Sequence, residues 1–308
     1  MRTTRSPFAH DKHDSVVRLC EQALPELPGI DFLAFYDRGF HVFSIGTVTD
    51  DERRPLERAF RQLVTEVGRF DDSMRVLGTG ELMRTVVQTD DAVLQCGHVF
   101  EEEFLVGATW DLERADMMDA DISRLVTRIR QEIYLQPDQL PGGRRGPRDT
   151  PGVESTAFHT ETAERLEPGL EGALATLSGG VVDVNDVHYL ALYRDWGFTF
   201  SADVFGSRAL AHWFGGPSGA EAARKLYADL AARLRTDLPE LAYALRLFSE
   251  QPIRRFVLDV VAGAVYVYPL AHHNGFVIGV TVFQPEVFAA EQRLLGVVPR
   301  IAELLGSE

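Results

Sequence analysis

Residues that could carry out chemistry are few in this sequence, and His272 and His273 are its only adjacent histidines. Two neighbouring imidazoles could bind a metal ion. Neighbouring side chains of a strand point to opposite faces, however, and the Asn274-Gly275 step that follows is typical of a tight hairpin turn. The corresponding turn of the first half, EEE at 101–103, contains no histidine. We therefore interpret the pair as solvated turn residues.

Two pairs of neighbouring aspartates, Asp71-Asp72 and Asp90-Asp91, could act as a general acid and base. Both pairs fall at predicted turns, where aspartate is common because its carboxylate bonds the local backbone. The sequence has no GxxxxGK[ST] loop, no strand-linked GxGxxG, and no HExxH, GxSxG or CxxC motif. We therefore predict that the chain is not an enzyme and has no cofactor or metal site.

Basic side chains are concentrated on two predicted helices, residues 51–70 and 219–236. The expected exposed positions are Arg53, Arg54, Arg58 and Arg61 on the first helix, and Arg224, Lys225, Arg233 and Arg235 on the second. One interpretation is a solvated face that Glu57, Glu66, Glu221 and Asp229 neutralise. The other is a docking surface for a protein partner.

The net charge, the apolar content and the cysteines of the whole chain limit the class of protein to which these helices belong. The formal net charge is -15 over 308 residues, which argues against nucleic acid and anionic membranes as partners. No apolar run approaches the length of a membrane-spanning helix, and the first residues lack the apolar core of a signal peptide. Cys20 and Cys96 have no disulfide or zinc spacing. We expect a cytoplasmic protein without membrane insertion.

The apolar periodicity predicts the same order of elements in each half: helix, two strands, helix, three strands, helix. FLVGATW at 104–110 and FVIGVTV at 276–282 match at an offset of 172 residues, and the apolar face of the last helix matches at the same offset. FLAFYDRGF at 32–40 likewise matches YLALYRDWGF at 189–198, in which Trp196 is inserted. We interpret the halves as a duplication; the alternative is that alternating strands and turns alone create the likeness.

A segment rich in proline and glycine, PDQLPGGRRGPRDTPG at 137–152, separates the halves and predicts a flexible linker. The predicted organisation is a flexible tail at 1–14, a first repeat at 15–135, a linker at 136–160 and a second repeat at 161–308. The fold class is α+β, with two α-β-β-α-β-β-β-α domains built on antiparallel sheets.

This order of elements resembles the Roadblock family of dynein light-chain-like domains, including the bacterial MglB-type regulators. The resemblance lies in LPGIDFLAFYDRGF at 27–40, similar to that family's opening turn and first hairpin, and in GAVYVYPLAHHNGFVIGVTVF at 263–283, similar to its last hairpin. Members of the family form homodimers with paired central helices. The resemblance thus implies an intramolecular pseudo-dimer here, with further self-association possible.

Three functional hypotheses follow. The leading one, implied by the resemblance, is a non-enzymatic interaction module that binds and regulates or scaffolds a small Ras-like GTPase or another signalling protein. The second is an acidic secretion-type chaperone or adaptor. The third is a small-molecule sensor with a profilin-like or GAF-like core, in which Tyr193, Trp196 and Trp213 line a pocket.

Overall fold

The computed structural model describes residues 2–7, 9–76, 78–137, 139, 141–143, 158–164, 166–214, 219–270 and 273–306. The predicted linker at 137–152 lies largely outside the described residues, and so does His272. The described chain is a mixed α/β fold of helices and antiparallel strands. None of its helices is both long enough and apolar enough to cross a lipid bilayer.

Among the described residues, the first half contains six strands and three α-helices. In chain order they are β1 (Arg2–Arg5), α1 (Asp14–Ala23), β2 (Phe32–Asp37), β3 (Phe40–Gly46), α2 (Asp50–Val76), β4 (Leu82–Thr89), β5 (Val93–Phe100), β6 (Glu103–Thr109) and α3 (Ala115–Glu132). The strands are ordered β1-β3-β2-β6-β5-β4. The hairpins β2–β3 and β5–β6 are antiparallel, as is the pairing of β2 with β6.

In the part of the second half that the structure describes there are six strands and four α-helices, of which one is a single turn. They are β7 (His159–Thr162), α4 (Pro168–Gly179), β8 (Tyr189–Arg194), β9 (Gly197–Asp203), α5 (Ala211–Phe214), α6 (Gly219–Leu245), β10 (Ile253–Val260), β11 (Gly263–Leu270), β12 (Gly275–Thr281) and α7 (Val287–Gly306). The strands are ordered β7-β9-β8-β12-β11-β10.

The chain forms two compact units whose limits differ from the predicted boundaries. The first unit comprises Met1–Ser73, Glu81–Pro141 and Asp237–Phe256, and the second comprises Met74–Gly80, Gly142–Thr236 and Val257–Glu308. The first unit therefore includes the end of α6 and the segment that follows it, in which the Phe248 ring packs at centroid distances of 5.6 Å from Phe60 and 5.5 Å from Trp110.

Two sequence predictions about chain segments were wrong. Arg2–Arg5, placed in a flexible tail, is the edge strand β1 paired with β3, and His159–Thr162, partly placed in the linker, is the edge strand β7 paired with β9. Both are short and polar, so periodicity could not reveal them. In addition, α6 continues to Leu245 rather than ending at 236, with Pro239 inside it. A proline inside a helix removes one backbone hydrogen bond, so the apolar pattern before Pro239 was a natural place to expect the helix to end.

Strand β2 is buried on both faces, which explains its continuous apolar sequence. Phe32 faces α2, where its ring centroid lies 5.7 Å from that of Phe60. Phe35 faces the other way and packs 5.9 Å from the ring of His13, next to α1. The sheet of the first unit is thus covered by helices on both sides.

The matching segments 104–110 and 276–282 each have a glycine at the centre, and the two glycines are explained by the same close contact. A Cβ at Gly107 would lie 2.6 Å from Cγ1 of Ile122 on α3, and a Cβ at Gly279 would lie 2.7 Å from Cδ2 of Leu294 on α7. Both distances are too short for any side chain. In each half, the last helix therefore packs directly on the backbone of the last strand.

Candidate functional site

Three of the predicted arginines form an exposed stripe along α2. Arg54, Arg58 and Arg61 are all solvent-exposed. Their spacing of four and three residues places them on one face of the helix, over about 10 Å. Within the described part of the chain, none of the three forms an ion pair. We call these three residues the arginine stripe.

Arg53 is not part of this surface, so its predicted exposure was wrong. The residue is only 2% exposed. Its guanidinium donates to the Ser44 hydroxyl at 2.9 Å and lies 5.8 Å from the ring centroid of Phe32. The sequence contained a signal for this, because Arg53 precedes Leu56 and Phe60 of the apolar stripe by three and seven residues.

Glu57 was predicted to neutralise the arginines of α2, and it points inward instead. Its carboxylate accepts a hydrogen bond from the Ser44 hydroxyl at 2.7 Å and lies 3.4 Å from Nε2 of His41. Burial lowers the pKa of His41. Glu66 is also engaged, in a 3.0 Å ion pair with Arg69. Glu57 and Glu66 are thus occupied elsewhere, and the exposed Asp51 forms no ion pair with the stripe among the described residues.

On α6, in the second unit, the prediction holds for three of four residues. Lys225, Arg233 and Arg235 are exposed. Arg224 is turned inward, where it donates to both carboxylate oxygens of Asp203 at 2.6 and 3.0 Å. Asp203 is fully buried, and its hydrogen bonds raise the pKa of Arg224. Arg224 therefore neutralises a buried carboxylate and is unsuited to docking.

A groove of about 440 Å³ lies beside the arginine stripe in the first unit. Gln62, one turn after Arg58, lines it together with Pro239 and Tyr243 of α6. Tyr243 is 62% exposed, and the guanidinium of Arg246 lies 4.1 Å from its ring centroid. An exposed aromatic ring stacked by arginine is the residue combination typical of interface hot spots. Apolar periodicity does not predict this contact.

The predicted aromatic pocket divides into two cavities of the second unit. Tyr193 and Trp196 line a cavity of about 400 Å³ next to β8 and α6. Trp213 lines a different one, of about 320 Å³. The first also contains Arg224 and Arg235 in its wall. Two of the three aromatic residues are thus brought together.

Among the described residues, one group of side chains has the geometry to hold a metal ion. Ligand atoms of His13, Asp37 and Glu103 all lie within 4.8 Å of one another. The Lys12 ammonium, however, is 2.7 Å from the Asp37 carboxylate and 3.6 Å from that of Glu103. A cation of the protein thus already balances the two carboxylates, and a metal ion would have to displace it. Pairing of Asp37 with Glu103 across β2 and β6 creates the group, which sequence spacing could not show.

Burial is the largest single influence on the pKa of each residue in this group. Burial lowers the pKa of His13 and raises that of Glu103. Burial opposes ionisation of Asp37, but the hydrogen bonds and charges of Lys12 and His13 together outweigh it and hold the pKa of that carboxyl below its usual range. The contacts with Lys12 give the group a structural explanation.

Three of the four aspartates that could have served acid–base chemistry accept hydrogen bonds within the first unit. Asp90 receives two hydrogen bonds from Arg254, at 2.6 and 2.8 Å. Asp91 accepts from the hydroxyls of Ser249 and Thr89, and Asp71 accepts from the backbone N–H of Leu82 at 2.8 Å.

Neither a family model nor a curated protein sequence matches this chain.

Proposed function

We propose that the chain is a non-enzymatic interaction module that docks an acidic protein partner on α2 of the first unit. The partner class is a small Ras-like GTPase or a related signalling protein, which the module regulates or scaffolds. The observation that carries the proposal is the arginine stripe, three exposed guanidinium groups without an ion pair among the described residues. The resemblance to Roadblock-type regulators supports the choice of partner.

Charge supports a protein partner over a solvated surface. A solvated helix face in an acidic chain is expected to pair its arginines with neighbouring carboxylates, yet Glu57 is bonded to Ser44 and Glu66 to Arg69. The groove with Tyr243 adds apolar contact area next to the stripe. Together they offer a partner both charge complementarity and an aromatic anchor.

We also propose that the two halves are tandem Roadblock-like repeats forming an intramolecular pseudo-dimer. The duplication is supported by the correspondence of β1-β3-β2-β6-β5-β4 with β7-β9-β8-β12-β11-β10. It is supported as well by the equivalent approaches of Ile122 to Gly107 and of Leu294 to Gly279. The pairing of the repeats stays a prediction.

The test is charge reversal of the stripe. The wild-type chain and the double variant Arg58→Glu/Arg61→Glu are used to capture partners from native lysate, and the recovered protein is purified for binding kinetics. We expect the association rate to fall about tenfold or more at low salt, with a difference that shrinks at high salt because the charges are exposed.

A matched control changes the net charge equally elsewhere in the first unit, with Arg18→Glu/Arg128→Glu on α1 and α3. This variant should bind like the wild type. Equal binding by the stripe variant and the wild type would overturn docking at α2. If the recovered partner binds through the stripe but does not bind GTP, docking on α2 stands and the assignment of the partner as a GTPase is overturned.

A further inference from the structure

The cavity of about 400 Å³ in the second unit has the composition of a small-molecule site. Its floor is the face of β8 that carries Tyr189 and Tyr193, four residues apart and therefore on the same side of the strand. Its wall is α6, where Ala228 and Ala232, one turn apart, present only methyl groups. Trp196 and Phe198 of the β8–β9 hairpin complete the lining.

In the second unit, Arg224 turns to Asp203, and alanines occupy the next two turns of α6. Tyr189 is covered by the rings of Phe205 and Tyr227, at centroid distances of 5.6 and 5.4 Å. The cavity therefore owes its space to the small side chains of Ala228 and Ala232.

The two ends of the cavity differ in charge. Tyr189 is opposite Asp203 in the β8–β9 pairing, so the Arg224–Asp203 ion pair marks one end. Tyr193 is opposite Phe198, and Arg235 lies eleven residues, about 16 Å, along α6 from Arg224. Arg235 thus lies at the aromatic end, where its exposed guanidinium forms no ion pair among the described residues.

The hydroxyls of Tyr189 and Tyr193 share a hydrogen bond. Burial raises the pKa of Tyr193 to about 12, so its hydroxyl stays protonated at neutral pH. The carboxylate of Glu161 also lines the cavity, from β7.

We propose that this cavity binds a small aromatic carboxylic acid, with its ring between Tyr193, Trp196 and the alanines of α6 and its carboxylate on Arg235. Flat aromatic rings fit a floor of tyrosines opposite methyl groups. A carboxylate is the group that a guanidinium pairs with in bidentate geometry. The site goes beyond docking at α2 and does not depend on it, since none of the stripe residues lines the cavity.

The experiment measures equilibrium binding of three probes that share one ring: 2-naphthylacetate, its neutral amide and 2-naphthylethylamine. For the wild type we expect the acid to bind at least tenfold more tightly than the amide, and the amine to bind most weakly. Arg235→Gln should weaken the acid about tenfold and leave the amide unchanged. Arg208→Gln, which removes an exposed arginine of the same unit outside the cavity, is the matched control and should change neither.

A second pair of variants tests the location. Ala232→Leu and, separately, Ala228→Leu place a larger side chain in the cavity from exposed helical positions that tolerate leucine, and thermal unfolding checks that each variant folds. Both should abolish binding of acid and amide alike. The proposal is overturned if the acid shows no saturable binding at millimolar concentration, if acid and amide bind equally, if the amine binds most tightly, or if both leucine variants bind like the wild type.

Discussion

The guanidinium of Arg53 donates a hydrogen bond of 2.9 Å to the hydroxyl of Ser44, inside the first unit. Its neighbour Arg54 is exposed. Two arginines one residue apart therefore occupy opposite environments, because successive residues of a helix point about 100° apart.

This contrast predicts that replacement by glutamine lowers the free energy of unfolding much more at Arg53 than at Arg54. Arg53→Gln should lower the free energy of unfolding by about 2–3 kcal/mol, since it removes a buried hydrogen-bonded charge from Ser44. Arg54→Gln should change it by no more than about 0.5 kcal/mol. Urea denaturation of both variants measures the difference, and equal midpoints would contradict the inward placement of Arg53.

Replacing glycine by alanine at two positions should change the stability of the protein in opposite directions, because only one of the two glycines lies against a neighbouring helix. Gly107→Ala should destabilise the protein by about 1–3 kcal/mol, because Ile122 must leave its packed position. Gly68→Ala on α2, where an added Cβ meets no atom within 4 Å, should stabilise it by about 0.5–1 kcal/mol. Thermal and urea unfolding give both values; a neutral Gly107→Ala would contradict the packing.

His188 predicts a loss of stability in mild acid. Burial lowers the pKa of His188 to about 4, while its Nδ1 accepts from the backbone N–H of Val282 at 3.2 Å. In the unfolded chain the pKa is about 6.5, so between pH 6.5 and 4 the unfolded state binds the proton more readily. Stability is therefore fully present above pH 6.5 and falls as the pH drops towards 4, by about 3 kcal/mol from this residue.

The measurement is the free energy of unfolding across this pH range for the wild type and for His188→Asn. Asparagine retains an acceptor for Val282 but does not titrate. The variant should be less stable at pH 7 and should show a shallower decline towards pH 4. Parallel curves for the two proteins would show that His188 does not contribute.

Sequence periodicity predicted the helices and strands that carry an apolar face. It did not predict the elements that form only through tertiary contacts. β2 and α2 carry strong apolar patterns, whereas β1 reads RTTR and becomes a strand only because the edge of β3 pairs with it. Arg224 could have been placed inward, since it precedes Tyr227 by three residues, but its partner Asp203 lies 21 positions away. The meeting of His13, Asp37 and Glu103 depends on strand register, which no local pattern encodes.

The inclusion of Asp237–Phe256 in the first unit has a consequence for synthesis on the ribosome. When residue 141 emerges, the unit still lacks Phe248, which covers Phe60, and Arg254, which pairs with Asp90. At about 5–20 residues per second, the missing segment follows on the order of ten seconds later. The first half must therefore wait, with part of its apolar surface uncovered, while the ribosome completes much of the second, and the nascent chain is an expected client for chaperones during that interval.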